Sequence, residues 1–228
     1  MSTKKRKLRA ILFADIVGYT AMMQSDEGKT MSRLKHYQQI LQKEVVTFKG
    51  EIIKNYGDGS LCIFSSVLDA VLCAKSVQEQ LQTAPKVPLR IGLHLGDVLY
   101  EGNDIYGNAL NIASRIESLG VAGAVLFSKN VQEKVKNQQI LDMQSLGSFD
   151  FKNVEESIEV FALANQGFAI PKRENIKGKL KPSTASKRNK WLVPSVIGAL
   201  LLALSAIIRM NSLKKMTAKI ITELASSK

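Results

Sequence analysis

Cysteine and histidine are scarce in these 228 residues, two of each, and that scarcity removes several kinds of protein at once. Cys62 and Cys73 fall in a strand-like and a helix-like run among apolar neighbours. They read as buried reduced thiols, which argues against a disulfide framework or a thiolate metal centre. His36, in MSRLKHYQQILQKEVV, and His94, in LRIGLHLGDV, read as structural or solvated rather than catalytic. Acidic residues are missing from one end only: residues 166–228 hold 13 Lys and Arg against 2 Asp and Glu, whereas residues 1–165 hold 19 against 18. The formal charge of +12 therefore belongs to a tail on a nearly neutral body, and it argues against a nucleic-acid partner. No internal repeat is apparent, and the longest apolar run lies far from the N terminus, which excludes a signal peptide. The remaining composition, 45% hydrophobic and 23% charged, is that of an ordinary globular domain.

Three stretches carry charge where a packed core would not need it: FADIVGYT at 13–20, KNYGDGS at 54–60 and NDIYGNALNIASR at 103–115. In the first, an apolar strand delivers Asp15 at its end beside Gly18. In the second, EIIKNY and SLCIF read as strands joined by the turn Gly57-Asp58-Gly59, whose carboxylate cannot hide in a core. Two such acids suit hard cations, although an Asp-Gly turn or a strand-end Asp is by itself usually only a turn or a cap. In the third, Leu110, Ala113, Ile116 and Leu119 recur at helical spacing, which puts Asn111 and Arg115 four residues apart on one face. An amide and a guanidinium there can orient a ribose and neutralise a transferring phosphoryl group. Lys54 lies four residues before Asp58 on the same strand, so that the two side chains share a face while the turn carries the carboxylate outward, and Asp104 lies just before the helix; a lysine donor and an aspartate acceptor can read a purine edge.

The surrounding elements read as scaffold. SDEGKTMSRLKHYQQILQKEVVTFKG has Ser25 as N-cap, Met31, Leu34, Leu41, Val45 and Phe48 on an apolar face, and Gly50 as its stop. DAVLCAKSVQEQL is a second helix. The order strand, helix, hairpin, helix, strand predicts a ferredoxin-like βαββαβ sandwich of the α+β class, extended by the Arg115 helix and later strands.

With these motifs in this order, the chain resembles the catalytic domain of class III nucleotidyl cyclases, bacterial adenylate cyclases in particular, over about residues 8–164. The resemblance implies a catalytic domain over 1–166 that converts ATP to cyclic AMP, with two Mg²⁺ (or Mn²⁺) per active site. It assigns Asp15, Ile16 and Asp58 to the metals, and Lys54 and Asp104 to the base, in an adenine-selective pattern. Asn111 falls to the ribose, Arg115 to the transition state and Lys152, in FDFKNVEE, to phosphate. It further implies a homodimer with shared active sites. Asn108 stands where many relatives have aspartate. Guanylate or mixed specificity, and a catalytically silent nucleotide-binding regulator, remain the alternatives.

The tail has its own organisation. Residues 167–190 read as a basic flexible linker, 191–208 (WLVPSVIGALLLALSAII) as a transmembrane helix without a charge, and 209–228 as a short exterior tail. Trp191 lies at the interface position, and Pro194 falls in a tolerated first turn. Eight Lys and Arg in 172–190 against five in 209–228 place the catalytic domain on the cytoplasmic side of the inner membrane, single-pass. The run KKRKLR at 4–9 reads as a solvated arm, with contact to anionic lipid as its other reading.

Overall fold

The computed structural model describes residues 5–102, 104–152 and 154–177. Its order is β1 (Lys5–Ile16), α1 (Tyr19–Ser25), α2 (Glu27–Thr47), β2 (Glu51–Tyr56), β3 (Gly59–Phe64), α3 (Val67–Leu81), β4 (Leu89–Glu101), β5 (Asp104–Tyr106), α4 (Asn108–Leu119), β6 (Val125–Ser128), α5 (Lys129–Val135), β7 (Met143–Phe149), β8 (Ile158–Leu163) and α6 (Arg173–Lys177). The strands form one sheet in the order β2-β3-β1-β4-β6-β8-β7, with β5 folded back on β4. The segment β4-β1-β3-β2 is antiparallel throughout and is the expected ferredoxin-like core. Parallel β6 and the β7–β8 pair extend it.

Alternation along β1 sends its side chains to two cores. Ala10, Leu12, Ala14 and Ile16 join Leu34, Tyr37, Leu41 and Val45 of α2 and most of α3. Ile11 and Phe13 face the other way, with Leu61, Ile63, Val98 and Ala113 beneath α4. Asp15 continues that second series, so the sheet pleat itself points its carboxylate to the α4 side.

The long helical run begins one residue later than its sequence suggests. Ser25 ends α1, and Asp26 caps α2, its side chain accepting from Lys29 N at 2.9 Å. Met31 lies at the exposed edge of the apolar face, 36% accessible. The stop also differs in detail. Gly50 N bonds to Val45 O and Lys49 N to Val46 O, a Schellman arrangement whose left-handed residue is Lys49 at φ 55. Gly50 is required for space: a Cβ there would lie 2.3 Å from Phe64 Cε1.

Cys62 and Cys73 are both buried and free. His94 is buried too, its Nδ1 hydrogen-bonded with Ser128 Oγ at 2.8 Å. The packed chain runs beyond residue 166: Phe168 belongs to the α2–α3 core, and Ile176 packs with Ile112 and Ile116 of α4. Arg173 fastens this segment by donating to Leu146 O and Ser148 O of β7. Among the described residues no helix is long and apolar enough to cross a membrane. The expected span 191–208, its tail and most of the linker lie outside the described residues.

Candidate active site

Asp15 and Asp58 converge from neighbouring strands. Asp15 is the register partner of Gly59 across the β1–β3 ladder, so the β2–β3 turn lies directly beside it. Tyr56 pairs with Gly59, leaving Gly57 and Asp58 as a two-residue turn, and Gly57 at φ 64 supplies the positive dihedral such turns need at their first position. Asp58 is thus in the turn itself and not on the strand with Lys54. Gly59 is closely packed: a Cβ there would lie 3.2 Å from Ala14 O and 3.4 Å from Asp15 Oδ1, so its neighbours would have to give by a few tenths of an ångström. Burial raises the Asp58 carboxyl above the usual carboxylate range, and the adjacent Asp15 charge adds to the shift against the pull of its own backbone hydrogen bond and of Arg90.

Two further charged residues complete this end of the sheet. Arg90, the register partner of Asp15 on β4, donates to Asp15 Oδ2 from Nη2 at 2.7 Å and from Nε at 3.2 Å. Its Nε also pairs with Glu117 of α4. Glu117 is only 6% exposed. Burial pushes its carboxyl up to about 7, with the Asp15 charge adding to the rise and Arg90 opposing it. The sequence reading missed both residues. Only Glu117 left a local cue: it follows Ala113 by four on the apolar stripe of α4, where a carboxylate needs a partner.

The site residues expected from the sequence fall into three places. Lys54 is exposed on the α4 side of β2, its Nζ 5.4 Å from the Tyr56 ring centroid. Ile53, extra at a bulge beside it, and Ile105, beside Asp104, belong to one apolar cluster, so Lys54 and Asp104 flank the same patch. Asn111 and Arg115 are one turn apart on α4, as the spacing predicts, with Ala109, Ile112, Ala113 and Ile116 turned inward. Arg115 Nη1 donates to the main-chain oxygen of Lys152, so this expected phosphate ligand lies beside the guanidinium. Arg115 lies roughly 200° around the helix from Glu117. The body of α4 therefore stands between Arg115 and the Asp15–Asp58 end of its own chain.

Among the described residues no group of three or more His, Cys, Asp or Glu could hold an ion. Two converging carboxylates, one of them raised by burial and by its neighbour, nonetheless fit Mg²⁺, which takes one or two carboxylates and completes its shell with water and substrate phosphate. Ile16, whose side chain is hydrocarbon and buried in the core, could contribute only its main-chain carbonyl. The cavity bordered by Asp15, Tyr56, Gly59, Ser60 and Glu117 measures about 220 Å³, below the roughly 300 Å³ at which sites for whole small ligands begin.

Comparison with known proteins gives a consistent picture. Residues 2–165 match the adenylate and guanylate cyclase catalytic domain. A protein of Rhizobium meliloti (strain 1021), provisionally named adenylate cyclase 3, is 32% identical over 200 residues, covering 83% of this chain and 34% of its own length. The adenylate cyclase of Mycobacterium bovis is 30% identical over 152 residues, 58% of this chain and 34% of its own. The chain thus spans about a third of the length of these curated relatives. Among solved structures, the adenylate/guanylate cyclase/hydrolase from Silicibacter pomeroyi superposes with TM-score 0.66 at 31% identity, covering 71% of this chain and 98% of that one. The adenylyl cyclase CyaB of P. aeruginosa shares the fold, with TM-score 0.63 at 18% identity, over 73% and 99%. Motifs, sheet order and these matches agree that the chain belongs to the class III family of adenylate and guanylate cyclase catalytic domains.

Proposed function

We propose that the chain is a membrane-anchored adenylate cyclase that converts ATP to 3′,5′-cyclic AMP and pyrophosphate at two equivalent sites, each built from two copies of the chain. The observation that carries this reading is the division made by α4. Asp15 and Asp58 lie on one side of it, and Asn111 and Arg115 on the other. One copy holds both halves of the chemistry and cannot close them on one substrate, which a two-fold pairing resolves. The 220 Å³ cavity is smaller than a site for a whole small ligand.

Asp15, Asp58 and the Ile16 carbonyl would hold Mg²⁺ or Mn²⁺. Bound there, two ions lower the charge cost at the attacking and leaving oxygens. Arg90 holds Asp15 in position and keeps a guanidinium at this end of the sheet, where it could also face the polyphosphate. From the second copy, Lys54 and Asp104 hold the adenine edge, Asn111 orients the ribose so that its 3′-oxygen is in line, and Arg115 neutralises the α-phosphoryl group as the bond to pyrophosphate breaks. Lys152, beside Arg115, serves the departing phosphates. The hydrophobic run 191–208 and the basic excess before it support a single span with the catalytic domain on the cytoplasmic side, where ATP is available.

Cyclic-nucleotide production by the full chain, with ATP or GTP and Mg²⁺ or Mn²⁺, tests the reaction. Cyclic AMP from ATP supports it, and Lys54→Glu with Asp104→Cys should move preference toward GTP. No product from either nucleotide with either metal would sink the enzyme reading and leave the nucleotide-binding regulator.

A further inference from the structure

Away from Asp15 and Asp58, a cavity of about 530 Å³ opens between α2, α3, the segment before β4 and the turns near residues 122 and 167. That volume lies within the roughly 300–1,000 Å³ of small-molecule sites. Leu81 and Val87 give it apolar wall, and Arg33 and Lys86 bring two positive charges with no carboxylate among the lining residues. Gln78 and Gln82 stand one turn apart on the α3 face that borders it.

These glutamines are the unusual feature. Gln78 is 1% exposed, yet among the described residues its Oε1 accepts no hydrogen bond and Gln82 Nε2 donates none. A buried polar atom left unpaired is costly, and here two such atoms, on buried Gln78 and part-buried Gln82, border one cavity. An unpaired acceptor and an unpaired donor four residues apart suit a ligand that offers a donor beside an acceptor.

We infer that this cavity is a second, non-catalytic binding site for a small organic anion with a planar donor–acceptor edge, the chemistry of a nucleoside monophosphate. The base edge meets Gln78 and Gln82, and the phosphate meets Arg33 and Lys86. An occupant here bears on the catalytic end of the sheet through two short links. Pro88, in the cavity wall, accepts from Val17 N at 2.8 Å, two residues past Asp15. Gly123, also in the wall, donates to Leu89 O at 2.8 Å, next to Arg90. The site is therefore placed to act as an effector site.

Calorimetric titration of the full chain in detergent with 5′-AMP, without divalent metal, tests this independently of turnover. One binding event is expected. Gln78→Leu, which removes the amide, and Ala122→Phe, which plugs the mouth and leaves every polar group in place, should each weaken it by about tenfold or more, a loss of about 1.4 kcal/mol. Asp104→Ala, which removes a group assigned to the base at the catalytic site, should leave it unchanged. Absence of binding, or binding that survives both cavity variants, overturns the inference, and binding lost only in Asp104→Ala assigns the nucleotide to the catalytic site instead. A Gln78→Leu protein that is more stable and binds AMP as before would show the amide to be a packing defect, which also overturns it.

Discussion

Gly92 lies on β4 directly under α4, and alanine there tests how the catalytic helix is positioned. A Cβ at Gly92 would lie 2.2 Å from Glu117 N, 2.5 Å from its Cα and 2.6 Å from its Cβ. Ordinary carbon contacts are about 3.5–4.0 Å, so the helix must retreat by roughly 1 Å or more. Backbone cannot swing aside as a side-chain tip can, and overpacking of this kind typically costs about 1–3 kcal/mol. For a domain of this size that is a fall in Tm of roughly 2–12 °C. The functional loss should be larger than the stability loss suggests. The same helix carries Asn111, Arg115 and Glu117, and a displacement of about 1 Å can cost on the order of a hundredfold in rate. Urea titration and cyclic AMP production on one preparation read both effects. Gly28→Ala is the control: nothing lies nearer its Cβ than Asp26 Oδ1 at 3.8 Å, so that helix should be unchanged or gain up to about 1 kcal/mol. A Gly92→Ala protein with unaltered Tm and full activity would refute the close-packing argument.

Further outcomes follow from buried titratable groups and the C-terminal fastening. Burial lowers His94 to about 4 from an ordinary value near 6.5. A depressed histidine favours the neutral form, so its contribution is present above about 6.5 and lost as pH falls toward 4, by up to about 3 kcal/mol; urea midpoints of His94→Gln should be flatter over that window. Glu117 has the opposite sign. Its raised carboxyl favours the protonated form, so stability on this account falls as pH rises from about 4.5 toward 7, and Glu117→Gln should remove that slope in metal-free protein. Arg173→Ala removes two hydrogen bonds to β7 and a guanidinium 5.4 Å from the Phe149 ring centroid. It should cost about 1–2 kcal/mol and raise protease sensitivity after residue 171, and unchanged cleavage would count against the fastening.

Much of this architecture is legible in the sequence because period-two and helical patterns are strong here. Asp15 and Asp58 could be placed because a strand end and a glycine-flanked turn leave a carboxylate little choice. The Asn111–Arg115 pair followed from a well-marked apolar stripe. Arg90 was not legible, and Glu117 was legible only as a carboxylate in need of a partner, since their pairing comes from a register across β1 and β4 and from the side of α4 that meets the sheet, both long-range facts. The helix boundary near 25 was misread because Ser25 and Asp26 are both competent caps, and only the chain path after Gly18 decides between them. Gly50 was rightly marked as an end for the wrong reason: the left-handed residue is Lys49, and the glycine makes room for Phe64.

Sharing of sites between copies is tested most directly by mixing two inactive variants. Asp58→Ala and Arg115→Ala should each be inactive alone. Co-expressed in equal amounts, half the dimers are mixed and each keeps one intact site, so about a quarter of wild-type cyclic AMP production should return. A mixture as inactive as its components, with the wild type active under the same conditions, would contradict a site built from two chains.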